Sequence, residues 1–163
     1  MKQFDFDDNT LILKVKKAPI FIRGIMFLIA FLSFILPLVG IIIAISLGNK
    51  FHFGFLIGVG FFGLIGFYLL RISLWNTYGE ETIKFNSSEI EYEANYGWFK
   101  DGKKIINIDK PVFSIKQIGY VEDKKGALVL EEGNEKIESV VKIPINQLEE
   151  LIEILKKVER PEN

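Results

Sequence analysis

The chain has 163 residues, 49% of them apolar and 25% charged, a formal net charge of -1 and a mean hydropathy of +0.26. Its charge is unevenly divided: residues 1–75 carry seven Lys/Arg against three Asp/Glu, and residues 76–163 carry thirteen against eighteen. Together these values exclude a strongly basic nucleic-acid binder, a disordered acidic chain and a uniformly soluble globule. The lack of Cys removes disulfides, thiolate metal sites and thiol catalysis, and one histidine, His52, cannot build a His-rich metal centre within one chain.

In chain order, residues 1–18 form an N-terminal segment with two β-prone stretches, Gln3 to Phe6 and Thr10 to Val15, one of which is expected to add a strand to a later sheet. Asp5, Asp7, Asp8 and Asn9 between them offer oxygen ligands but lack the spacing of a calcium loop.

Residues 19–75 read as a two-helix transmembrane hairpin. No charge falls between Gly24 and Asn49, or between Phe51 and Leu70. The run 24–47 holds sixteen Leu, Ile, Val or Phe and the run 51–70 holds thirteen. Near a helix centre these contribute about -5 to -10 and about -4 to -8 kcal/mol of insertion free energy, so spans of about 24–47 and 51–72 are expected. A cleaved signal peptide is the alternative for the first run, with Ala44-Ile45-Ser46 as its small-residue site. The run is longer than the 7–15 residues of a signal core, and a second run follows at once. Lys14, Lys16, Lys17 and Arg23 precede the first run and Arg71 follows the second, while the turn between them holds only Lys50. The positive-inside bias then puts both termini in the cytoplasm, with Lys14, Lys16, Lys17, Arg23, Arg71, Trp75 and Tyr78 as interfacial anchors. Gly40, Ala44 and Gly48, with Gly54, Gly58, Gly63 and Gly66, are the expected packing positions, either within the hairpin or towards another copy. Pro37 is expected to kink the first helix. No Asp, Glu, Lys or Arg lies inside either run, which argues against a pump or coupled transporter.

From Glu80 the period changes to two. Thr82–Phe85 is β-prone, and Ile90, Tyr92, Ala94 and Tyr96 alternate with polar residues. Asp101-Gly102 is a hairpin signal between Trp98-Phe99 and Lys103 to Ile108. A fourth strand takes in Val112, Ile115, Ile118 and Tyr120. A fifth covers Ala127–Leu130, and a sixth spans roughly Lys136 to Ile143. The end is an amphipathic helix. Asn146 is its expected cap, Leu148, Leu151, Ile152, Leu155 and Val158 form its apolar face, Lys156, Lys157 and Arg160 its basic end, and Pro161 its stop. The fold class is therefore a membrane α-helical hairpin plus an α+β domain over 80–158, with a tail over 159–163.

Leu74 to Glu81 at the exit of the second helix, the Phe85–Glu89 turn, Lys125-Gly126-Ala127-Leu128 and the closing Leu148–Lys157 helix together resemble small bacterial membrane proteins with a C-terminal pleckstrin-homology-like (PH-like) domain. The resemblance spans most of the chain through structural, weakly specific motifs. It implies an antiparallel six- or seven-strand PH-like roll closed by the C-terminal helix, and a bacterial inner-membrane location. Such proteins mostly have no assigned activity, so no catalytic residue carries over. The phosphoinositide binding the fold suggests is ill served here: Lys100, Lys103 and Lys104 form the only local cluster near a turn, in an acidic domain. The basic group beside the first helix is a better lipid contact.

Phosphate loops, nucleophile elbows, metal helices and calcium loops are all missing. The pairs Glu80-Glu81, Glu131-Glu132 and Glu149-Glu150 read as exposed ends of strands or helix. Trp98 and Phe99 beside Gly97 read as hairpin packing or as an aromatic contact patch. No catalytic residue, metal, cofactor, nucleic acid or small-molecule substrate is expected. The expected partners are the lipid bilayer and a second copy or another membrane protein. The functional expectation is a non-enzymatic interaction or scaffolding module, and the alternative is a small oligomeric channel or membrane-remodelling subunit.

Overall fold

The computed structural model describes residues 2–86, 88–108 and 110–159. Its first strands, β1 (Phe4–Asp7) and β2 (Thr10–Lys14), pair antiparallel with Asp7 opposite Thr10. The two residues between them, Asp8 and Asn9, both have positive φ (41° and 62°). That is the twist a two-residue hairpin demands, and Asp and Asn tolerate it because their short polar side chains bond locally. The acidic run weighed as cation ligands is therefore a hairpin and its turn. Both β-prone N-terminal stretches are strands, where one was expected.

β2 continues the sheet onto β3 (Glu80–Phe85), with Lys14 opposite Glu80, although 65 residues of chain separate the two. β4 (Glu89–Asn95) and β5 (Lys100–Asn107) complete a five-stranded antiparallel sheet in the order β1-β2-β3-β4-β5. The β4–β5 turn is Tyr96 to Phe99, closed by the Tyr96 N–H donating to the Phe99 carbonyl (2.9 Å), with Gly97 at φ 87°. The expected Asp101-Gly102 turn is instead a bulge inside β5. The register slips between Tyr92 and Ala94, Gly102 has φ 66°, and its N–H donates to Asp101 Oδ1 (2.7 Å). Glycine allows the left-handed conformation that the extra residue requires.

The second sheet holds β6 (Val112–Gln117), β7 (Lys125–Glu132), β8 (Glu135–Glu138) and β9 (Ile143–Pro144). Tyr120 lies beyond β6 and is exposed, so the fourth predicted strand ends earlier than expected. β8 and β9 pair with opposite ends of β7: the predicted sixth strand is broken between Ser139 and Lys142. The break is hydrogen-bonded. Ser139 N–H donates to the Leu128 carbonyl, and Leu128 N–H donates to Ser139 Oγ (both 2.9 Å). A side chain thus stands in for the ladder while Val140 is displaced outward, 60% exposed. The strands thus divide into two antiparallel sheets, of five and of four strands, the N-terminal hairpin in the first and the broken strand in the second.

α3 (Ile145–Glu159) buries Leu148, Leu151 and Leu155 and packs against β6, β7 and β9. It begins at Ile145, one residue before Asn146, which was expected as its cap. Arg160 and Pro161, and the side chain of Val158, lie outside the described residues. Leu11, Leu13, Ile83, Ile90, Leu128, Leu130, Ile137 and Ile143 complete the core of the sheet region.

Between β2 and β3 run two long helices, α1 (Ile20–Ser46) and α2 (Phe53–Tyr78). The chain divides into two units: residues 1–16 with 78–163, and residues 17–77.

Candidate functional site

Both long helices have the length and composition to cross a membrane. At 1.5 Å per residue each spans about 40 Å, against about 30 Å of bilayer hydrocarbon. They are not the core helices of a soluble fold. Only 6% of the most apolar window of each is buried, and side chains such as Phe21 and Leu64 are exposed. Their serine and threonine hydroxyls are satisfied within the helix. Ser33, Ser46, Ser73 and Thr77 each donate a hydroxyl to the carbonyl four residues back, at 2.7–2.9 Å. Such back-bonding lets hydroxyls lie in surroundings without water. Pro37 stands inside α1, which continues through it.

α2 runs farther than the expected end near 72, so Trp75 and Tyr78 join Arg71 on its last turns. Arg23 lies in the first turn of α1, half-buried, with its Nε enclosed and without a hydrogen-bond partner. Lys14 ends β2, and Lys16 and Lys17 follow in the exposed link. The ends of the hairpin are adjacent: Ala18 N–H donates to the Asn76 carbonyl (3.4 Å), and Val15 N–H to the Gly79 carbonyl (3.0 Å).

The predicted small residues have different surroundings. Gly66 is buried, and a Cβ there would lie 2.8 Å from the Phe34 ring. The helix seam therefore runs through Phe34, Gly66 and the fully buried Ala30; Ala30 and Phe34 were not singled out in the sequence. Ala44 is half-buried. Gly48 terminates α1 at φ 87°: its N–H donates to the Ile45 carbonyl and Asn49 N–H to the Ala44 carbonyl, a Schellman motif. Gly54 lies under the His52 ring, which stacks at 4.0 Å on Phe55. Gly40, Gly58 and Gly63, with Gly60, have no atom within 4 Å of a would-be Cβ.

The feature that sequence reading missed is Glu81. Predicted at an exposed strand end, it is fully buried. On β3 it shares the inner face with Ile83, and its carboxyl gathers three donors. Tyr92 Oη–H and Val140 N–H donate to Oε1 (2.6 Å each), and Val141 N–H donates to Oε2 (3.2 Å). It thus ties the five-stranded sheet to the bulge in the other sheet, catching the N–H groups that the bulge displaces. Burial pushes its carboxyl above the ordinary carboxylate value, and the three donors pull it partly back. Tyr92 is pushed well above the ordinary phenol range by burial and by the Glu81 charge. Glu81 is thus a structural clamp between β3, β4 and the Val140–Val141 backbone. Among the described residues, no three His, Asp or Glu side chains gather to hold a metal.

Two of the three clustered lysines are engaged in ion pairs. Lys100 pairs with Glu93 (2.7 Å) and Lys103 with Glu91 (2.8 Å) across β4 and β5. Lys103 holds the Glu91 carboxyl below its ordinary value. A shallow depression of about 510 Å³ lies among Lys124, Ile145, Asn146 and Glu149 at the start of α3.

No protein-family model, curated protein or solved structure matches the chain. The structure itself establishes two long apolar helices and a domain of antiparallel sheets with a C-terminal helix.

Proposed function

We propose that the chain is a non-enzymatic, multi-pass protein of the bacterial cytoplasmic membrane. Its hairpin is the anchor, and its PH-like domain serves as a protein-interaction or scaffolding module on the cytoplasmic side. The observation that supports this best is the insertion of the hairpin between two strands that pair with each other. In the chain, α1 begins just after β2 and α2 ends just before β3, which suits an even number of spans with both ends of the hairpin on one membrane face. The basic residues at those ends, Lys14, Lys16, Lys17, Arg23 and Arg71, favour the cytoplasmic face. Two antiparallel sheets with a C-terminal helix packed on one of them are in keeping with the PH-like reading. Purification from membranes in mild detergent followed by native mass spectrometry tests the module: a bound partner or a defined oligomer is expected, and a strict monomer that recovers no partner would count against it. A cysteine at Asn49, reactive from outside the cell while one at Asn134 is not, tests the orientation.

A second reading is an oligomeric channel or membrane-remodelling subunit, supported by the open surroundings of Gly40, Gly58, Gly60 and Gly63. Close helix approach between copies would use them. Conductance in liposomes, abolished by Gly58→Leu or Gly63→Leu, is its test.

A further inference from the structure

The β4–β5 turn is built from Tyr96-Gly97-Trp98-Phe99. A connection this tight at the tip of a sheet is ordinarily polar. Here three of its four residues are aromatic, and Trp98 is 62% exposed. The turn is well formed: Tyr96 and Phe99 stack face to face at 4.8 Å and 11°, and Gly97 supplies the positive φ. Trp98 is thus presented at the apex of the hairpin.

The register locates this tip. Lys14 pairs with Glu80, and Glu80 with Asn95, which pairs with Lys100. The turn after Asn95 therefore lies at the end of the sheet where the chain leaves β2 for α1 and returns from α2 into β3. Contact confirms it: a Cβ on Gly97 would lie 2.7 Å from Tyr78 Cβ and 2.8 Å from Cγ, so the turn backbone rests on Tyr78. Tyr78 is the last residue of α2 and is itself 50% exposed.

Starting from Phe53, about 30 Å of hydrocarbon at 1.5 Å per residue ends near Ser73. Tyr78, five residues on, is about 7 Å farther, within the roughly 5–8 Å headgroup layer on each side. Whatever rests on Tyr78 shares that depth. Tyr and Trp suit it, with an apolar ring body and one polar group for the wet side.

We infer that the Tyr96–Phe99 turn is a membrane-interface anchor: Trp98 inserts among lipid headgroups beside Tyr78 and gives the sheet domain a third attachment besides the two helices. The partner is the bilayer interface, not a particular headgroup, because the adjoining Lys100 is already paired with Glu93. The inference rests on the hairpin spanning the membrane. It explains why an aromatic apex replaces a polar one, and it limits how the domain turns to meet a partner.

The chain has two tryptophans, Trp75 and Trp98, which makes the test direct. The Trp75→Phe variant, reconstituted whole into phosphatidylcholine liposomes, leaves Trp98 as the only reporter. A control carries Trp75→Phe, Trp98→Phe and Ser88→Trp, with its reporter in the turn at the other end of the same sheet. Relative to the control, Trp98 emission should be blue-shifted, quenched by headgroup-nitroxide lipid and severalfold less accessible to acrylamide. Trp98 as open to acrylamide as the control, and untouched by the lipid quencher, overturns the inference. So does shielding from both quenchers, which would assign the tip to a protein contact. Alkaline carbonate extraction separates the two readings: a chain that washes out refutes the spanning hairpin itself, whereas a retained chain with an aqueous Trp98 refutes only the anchor.

Discussion

Replacing Glu81 by alanine should be the most damaging single change in the sheet domain. The substitution leaves the Tyr92 hydroxyl and the Val140 and Val141 N–H groups without their acceptor. A buried polar group left unpaired costs about 1–3 kcal/mol. Summed over three donors and reduced by partial relaxation and by water at the exposed Val140 position, the cost is about 3–5 kcal/mol. For a domain of roughly 100 residues, at about 4 °C per kcal/mol, the melting temperature falls by at least about 12 °C. Glu81→Gln keeps the shape and one acceptor oxygen but turns an amide N–H₂ towards a donor, so it should cost about 1–3 kcal/mol. The assay is thermal unfolding of the full chain in mild detergent, followed by tryptophan emission, with amide hydrogen exchange read at Val140 and Val141. A Glu81→Ala melting point close to that of the unmodified chain, with exchange at those amides unchanged, would refute the clamp.

The same carboxyl predicts a pH dependence with a definite sign. Folded Glu81 keeps its proton to a higher pH than unfolded Glu81, whose ordinary value is 4.5. Above 4.5 the folded state therefore binds more protons, and stability falls as pH rises until the folded carboxyl has ionised. Glu91 and Glu138 act in the opposite sense, because hydrogen bonds from Lys103 and Lys116 lower them. Their contribution is present above 4.5 and is lost as pH falls through the lowered values. Glu81→Gln should abolish the decline above 4.5 and leave the acid-side loss intact.

Three further outcomes follow from the packing. Gly66→Ala pushes a methyl into the Phe34 ring and should cost about 1–3 kcal/mol by overpacking, whereas Gly40→Ala and Gly63→Ala should leave monomer stability nearly unchanged; a double variant with Phe34→Ala should show coupling in detergent melting curves. Gly48→Val forces a β-branched residue into the left-handed region at φ 87° and should destabilise the end of α1 by about 1–2 kcal/mol, read as faster exchange around Ala44 and Ile45. Ser139→Ala strips the Leu128 N–H of its acceptor and should cost about 1–3 kcal/mol, with faster exchange at Leu128.

The large features were legible because they are local. Two uncharged runs and a short link give two long helices, and alternation in Ile90–Tyr96 and helical spacing in Leu148–Leu155 give a strand and a helix. Glu81 was hidden although strand alternation puts it on the same face as Ile83. Glutamate is so rarely buried without partners that exposure was the natural reading. Its partners could not be seen, since Val140 and Val141 are about 60 residues away and their N–H groups are freed only by the bulge at Ser139. Asp101-Gly102 misled for a related reason. A glycine that permits positive φ serves a turn or a bulge equally well, and the choice was made by Tyr96–Phe99, where stacked aromatic rings and Gly97 close the hairpin first. The seam at Ala30, Phe34 and Gly66 was half visible: glycine spacing marks where close approach is possible, not which glycines have a neighbour.

The insertion of α1 and α2 between β2 and β3 also bears on how the domain forms. Pairing Lys14 with Glu80 closes a loop of about 65 residues, and for a flexible chain that closure is costly and slow, because the contacts rewarding it come last. Two antiparallel helices change the problem. Once both lie side by side, Ala18 and Asn76 are already within hydrogen-bond reach, so the strands extending from them start as neighbours. The residual closure then involves only the few residues linking each helix to its strand. Pairing of α1 with α2 should accordingly precede completion of the five-stranded sheet, and a chain whose seam is broken at Gly66 should show slower pairing of β2 with β3, even though every residue of those strands is intact.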